Sequence, residues 1–212
     1  MIKKKYLLRI LLLLLILVFP FQLFSQEVYF LTGSNFTKYT FKSSEGAMTT
    51  PLQSGTGVSY EMGYSSPLQD DKIFYNLSMS LNDYNVVAGS LANSYNWQTK
   101  YVGVQNSVSF NFLIANNYQL ILKGGVDLAT IIYGKQTANG VVYNLTRQDE
   151  FSGLLFSPFI GAQTKYQLND FGFLSIGYSY SKSLNPFNVS PDKLSFNTSQ
   201  LQFGIHININ NN

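Results

Sequence analysis

The last stretch of the chain changes face at every residue. In Leu201-Gln202-Phe203-Gly204-Ile205-His206-Ile207-Asn208-Ile209 each odd position is large and apolar, and each even one is polar or glycine. A strand sends successive side chains to opposite faces, so this segment has one oily side and one wet side. The pattern recurs upstream. Over 56–65, Val58, Tyr60, Met62 and Tyr64 oppose Gly57, Ser59, Glu61, Gly63 and Ser65. Over 73–84, Ile73, Tyr75, Leu77, Met79 and Leu81 oppose Phe74, Asn76, Ser78, Ser80 and Asn82. Over 98–112 the oily face is Val102, Val104, Val108, Phe110 and Phe112, interrupted by Asn106. Residues 118–132, 154–166 and 171–182 repeat the alternation, and 28–41 gives a first, less regular run. Eight strands are predicted, and no helical period of useful length follows the first 25 residues.

The connections alternate too. Short ones fall at 66–72, 113–117 and 168–170; long polar ones fall at 42–55, 85–97, 134–153 and 185–195. An even number of strands with short turns at one end and long loops at the other is the plan of an outer-membrane barrel. Strands running up and down in this way would gather Tyr64, Tyr75, Phe110, Phe112, Tyr118 and Tyr166 near the short-turn end. Tyr178 and Tyr180 would lie toward the other end. Rings sorted by height in this way resemble the girdles that sit at lipid headgroup level. A soluble barrel would turn its large residues inward and cover its outside with Lys and Glu. Here the wet faces carry mostly Ser, Asn, Gln and Gly. The predicted fold is all-β, an eight-stranded antiparallel transmembrane up-and-down β-barrel.

The start of the chain sets the route to that membrane. Lys3, Lys4, Lys5 and Arg9 precede an unbroken apolar run over 10–19, then Pro20 and Leu23-Phe24-Ser25. A basic start, a short apolar middle and a small residue at the end describe a secretory signal peptide, residues 1–25, cleaved after Ser25. Ten apolar residues are too few for a spanning helix, which needs about 20. The remaining 26–212 form one barrel domain. Four of the 14 basic residues lie in the leader, which leaves 10 against 11 acidic ones, a formal net of −1. The chain's overall basicity therefore belongs to its leader, and no nucleic-acid partner is expected. Charged residues make up 12% of the chain, about half the usual share of a soluble domain, and aromatics make up 16%. The absence of cysteine rules out disulfides, thiolate metal sites and a Cys nucleophile.

Candidate chemistry is sparse. Alternation turns Glu61, Lys123, Asp127 and Lys165 into the lumen. An eight-stranded barrel is only wide enough inside for side chains to fill it, so buried charges there must pair. One network is expected, with Lys123, Asp127 and Lys165 on neighbouring strands and Glu61 reaching across. It is a structural filling of the lumen, in preference to an ion pathway. His206, the only histidine, is expected as a polar lumen side chain near the short-turn end, too far from outer-leaflet lipid to act on it. No catalytic site, cofactor or metal site is expected. Partner recognition would fall to the long loops, above all 134–153 with Val141, Val142, Tyr143, Arg147, Asp149 and Glu150. Trp97, the sole tryptophan, is expected to anchor at the interface at the end of 85–97.

Leader, eight alternating strands, alternating connections and the closing strand resemble the small outer-membrane β-barrel proteins, the OmpA/OmpX-like and PorT-like group. The opening Gly33-Ser34-Asn35-Phe36 is similar to that group's Gly- and Asn-containing first strand. The chain departs at its end, where Ile209 is followed by three asparagines in place of the usual terminal aromatic. The resemblance implies a monomer in the bacterial outer membrane that meets lipid and the barrel-insertion machinery. Its role would be structural, surface-recognising or accessory to an envelope machine, with a surface or envelope protein met through the outer loops. A narrow channel is the second reading, and a lipid-modifying barrel enzyme the third.

Overall fold

The computed structural model of the chain describes residues 27–43, 46–47, 52–69, 72–90, 93–115, 117–138, 140–149, 151–186 and 193–209. The expected leader lies outside the described residues. The described residues form ten strands: β1 (Glu27–Ser43), β2 (Gly46–Ala47), β3 (Leu52–Gln69), β4 (Ile73–Ser90), β5 (Asn93–Ala115), β6 (Tyr118–Ala138), β7 (Val141–Asn144), β8 (Leu154–Gln167), β9 (Gly172–Leu184) and β10 (Lys193–Asn208). The described residues contain no helix. Eight strands form the wall, each antiparallel to its neighbours in chain order. The short strands β2 and β7 merely extend the ends of β1 and β6. First and last strands pair from Glu27↔Asn208 to Lys42↔Lys193, which closes the sheet into a barrel and leaves its wall no open edge.

The lower part of the barrel, toward the short turns, follows the alternation. Met62, Met79, Ile160, Ile176, Phe203 and Ile205 point outward and are about half or more exposed, while Ser59, Asn76, Ser78, Ser80, Ser109 and His206 are buried inside. An apolar outer face around a polar inside has no soluble logic, but it suits a barrel surrounded by lipid. Ile160 is the most exposed of these residues, at 70%. Its replacement by Arg is expected to cost about 2–4 kcal/mol of stability in vesicles, measured by urea unfolding, if the site lies near the midplane. A cost near zero would place Ile160 in water. Asn106, the polar interruption on the oily face of β5, is satisfied there by the hydroxyl of Tyr75, which donates to its Oδ1. The neighbouring strand thus supplies the partner that lipid cannot.

Toward the long loops the pattern inverts. The strands there exceed the 9–11 residues needed to cross a bilayer: β5 has 23 residues and β6 has 21. A 23-residue strand is roughly 75 Å long, far more than a tilted strand needs for an apolar band of about 25 Å. In this upper tier the large rings face inward. Tyr39, Tyr84, Trp97, Tyr101 and Phe196 are buried together with Val86, Leu155 and Leu194. The outside there carries Lys38, Thr40, Gln98 and the Asp83–Lys100 ion pair (3.2 Å). That is the arrangement of a soluble barrel, and it fits a wall that has left the lipid.

The inversion changes two expectations. Trp97 is no interfacial anchor: it is only 7% exposed and packs edge-on against Tyr39 and Phe151, with ring centroids 5.6 and 5.5 Å away. It faces inward because β5 begins at Asn93 and the parity of Tyr101 and Gly103 continues through it. Nor is 85–97 a long loop, since β4 and β5 stay paired as far as Ser90↔Asn93. Residues 134–153 likewise begin as strand, and then β7 turns back along β6. Beyond β7 the chain dips into the barrel mouth, where Leu145 is fully buried and Phe151 is 5% exposed. The Leu145 amide donates to the Gly134 carbonyl at 3.0 Å. The buried rings together form an aromatic plug in the upper tier.

Candidate functional site

Below the plug the lumen carries its charges in two clusters. The first is centred on Glu61 of β3. Its Oε1 accepts from Lys123 Nζ at 2.7 Å, from Ser78 Oγ at 2.9 Å and from the Tyr29 hydroxyl at 3.0 Å. Lys123 also lies 5.3 Å from the Tyr29 ring centre and 5.6 Å from that of Phe159, within cation–π range. Tyr29 can lie across the lumen because the facing residue is Gly63, where a Cβ would come within 2.5 Å of its ring.

The second cluster lies nearer the short-turn end. Lys165 of β8 grips both carboxylate oxygens of Glu27 at 2.6 and 2.7 Å, reaching across to the first residue of β1. His206 Nδ1 is 2.6 Å from Glu27 Oε1, and its Nε2 is 2.8 Å from Ser175 Oγ. The side-chain amide of Gln163 donates to Ser175 Oγ at 2.7 Å and lies 3.1 Å from the same imidazole nitrogen. His206 and Lys165 are 2% and 6% exposed. Glu27, Gln163, Lys165 and His206 line a cavity of about 410 Å³ at the short-turn end, which Lys72, Asn76, Asn111, Gln119 and Asn208 also border; Ser175 sits behind them, off its wall. Higher up, a smaller void of about 40 Å³ lies beside Asp127 and Gln105.

All four charges expected inside are there, but they do not meet as one network. Glu61 and Lys123 pair. Lys165 pairs with Glu27, a residue the first predicted strand does not include. Asp127 contacts neither lysine: its carboxylate accepts from Ser80 Oγ at 3.1 and 3.2 Å. Spacing explains the split. Lys165 stands opposite Gln119 and Lys123 opposite Gly161, so the two lysines lie four residues apart along the wall, roughly 13 Å. Ser175 and Gln163 were legible as inward-facing from their parity; nothing in the sequence joined them to His206.

A closed eight-stranded barrel with an apolar outer face and a polar, charge-paired lumen defines a small transmembrane β-barrel protein. Solved structures resemble the chain at low identity. Neisserial surface protein A, NspA, is 13% identical with a TM-score of 0.49, over 85% of this chain and 96% of that one. The outer membrane protein OprG from Pseudomonas aeruginosa is 10% identical with a TM-score of 0.49, over 88% and 97%. The outer membrane protease OmpT from Escherichia coli is 8% identical with a TM-score of 0.45, over 91% and 99%. No protein-family model and no curated protein sequence matches the chain.

Proposed function

We propose that this chain is a monomeric bacterial outer-membrane barrel that presents a rigid platform beyond the lipid. Its role is structural and surface-recognising, or accessory to an envelope assembly as the PorT-like resemblance implies. The observation that carries this reading is the inversion of faces, a lipid-suited lower band topped by a soluble-type upper tier. Such a tier is more than the minimum needed to cross a membrane, and it holds its loops on long paired strands. The β6–β7 hairpin at its rim exposes Val141, Val142 and Tyr143 at 52, 58 and 47%. Exposed apolar residues on a rigid support are the usual makings of a contact surface. Outer-membrane lipid and the barrel-insertion machinery are its other partners.

The test is side-specific labelling. The chain has no native cysteine, so Tyr143→Cys offers a unique thiol. A membrane-impermeant maleimide should label it in intact cells, whereas labelling only after lysis overturns the proposed display. The channel reading is the second one, and the buried rings of the upper tier and the paired lumen charges weigh against it. Planar bilayers containing the folded protein should show no stable open steps.

A further inference from the structure

The second lumen cluster holds a serine, an imidazole and a carboxylate in line. We propose that Ser175, His206 and Glu27 form a nucleophile–base–carboxylate relay that hydrolyses small polar esters entering the lumen from the short-turn end. This goes beyond the structural role argued above and rests on a different observation.

The hydrogen bonds fix the direction of the relay. An ionised carboxylate only accepts, so the 2.6 Å contact requires His206 Nδ1 to carry its proton toward Glu27. In the neutral ring that leaves Nε2 with a lone pair, 2.8 Å from Ser175 Oγ and 3.1 Å from the Gln163 amide nitrogen. The Gln163 amide already donates to Oγ, so the serine proton is free to point at the imidazole. Lys165 clamps the far side of Glu27 and holds the carboxylate against the ring, acting as a positioning residue. Close approach is built in at Gly204, next to the histidine on β10. A Cβ there would lie 2.6 Å from Ser175 Oγ and 2.2 Å from Leu31.

The reaction balances with water as the only co-reactant. Ser175 Oγ attacks the acyl carbonyl carbon as its proton passes to His206 Nε2, and an Oγ–C bond forms. The bond from that carbon to the alcohol oxygen breaks, and the imidazolium returns the proton to the departing oxygen. Water then attacks the acyl-serine with His206 as base, releasing the carboxylic acid and restoring the serine. Gln163 covers Ser175 on the cavity side, so its flexible side chain must swing aside for an ester to reach Oγ. Its amide then stands within reach of the developing oxyanion. The cavity of about 410 Å³ suits a small molecule, and its amide-rich border, with Lys123 and Lys165 already paired to carboxylates, favours a small water-soluble ester over a lipid.

A fluorophosphonate probe tests this on the full mature barrel folded in lipid vesicles. The heat-dependent gel shift is run on the same samples, so loss of the barrel fold is seen separately from loss of labelling. Covalent modification is expected at Ser175, mapped by peptide mass. It should vanish in Ser175→Ala and slow at least about a hundredfold in His206→Ala. It should persist in Ser183→Ala, a buried serine bonded to Ser157 away from the imidazole. Should His206→Ala fail to fold, the Ser175→Ala and Ser183→Ala pair still decides. Labelling of folded wild-type protein that is absent, or equal in Ser175→Ala, overturns the relay.

Discussion

Glu61→Leu is expected to destabilise the barrel by about 3–5 kcal/mol, the usual loss when one partner of a buried ion pair is removed. The side chains of Glu61 and Lys123 are 4% and 15% exposed, so water replaces the missing carboxylate poorly. The substitution also strands the Tyr29 hydroxyl and Ser78 Oγ, which both donate to the same oxygen. Urea unfolding of vesicle-embedded protein reads the loss as a lower midpoint. The double variant Glu61→Leu/Lys123→Met should recover the part of the loss due to the unpaired lysine, because an apolar pair of similar volume often replaces a buried ion pair at little cost. A single variant within about 1 kcal/mol of wild type would mean that the pair is solvated and of the weak surface kind.

Phe196→Ala is the second large effect, expected at about 3–5 kcal/mol. Phe196 is 1% exposed and sits at the centre of the plug, with its ring 4.8 Å from Tyr39, 4.7 Å from Tyr84 and 6.1 Å from Tyr101. Truncation there loses the apolar transfer and leaves a cavity, because the surrounding rings are held by both walls and by hydrogen bonds such as Tyr39 to the Tyr84 carbonyl. Phe203→Ala is the matched control. That ring is 53% exposed on the outer face, where lipid chains can fill the gap, so its loss should be clearly smaller. Equal losses at the two sites would contradict the inward-facing upper tier.

What the sequence made legible was set by how far lipid dictates the outer face. Where it does, as at Met62, Met79, Ile176 and Phe203, a period of two assigns every side chain correctly. Where the wall leaves the lipid, the large residues move inside, and a reader following the oily face sees the strand stop. This is why the runs over 73–84 and 98–112 were too short at their upper ends. It is also why Trp97 read as an anchor, although strand parity alone puts it beside Tyr101. β1 read poorly because Tyr29, Leu31 and Tyr39 face inward while Val28, Phe30 and Phe36 face out, so both faces carry large residues. The charges were legible as inward-facing, but their partners were not, since pairing depends on height and on reach across the closed barrel. Glu27 joins Lys165 and His206 from strands that stand 138 and 179 residues away in sequence.

The central claim is that the outer face of the lower barrel meets lipid, and single-cysteine spin labelling along β10 tests it most directly. With no native thiol to remove, labels can be placed one at a time from 201 to 209 in vesicle-embedded protein. Collision with oxygen, which concentrates in lipid, should peak at 201, 203, 205, 207 and 209 and fall at 202, 204, 206 and 208. A flat profile, or maxima at the even positions, would contradict the lipid-facing barrel.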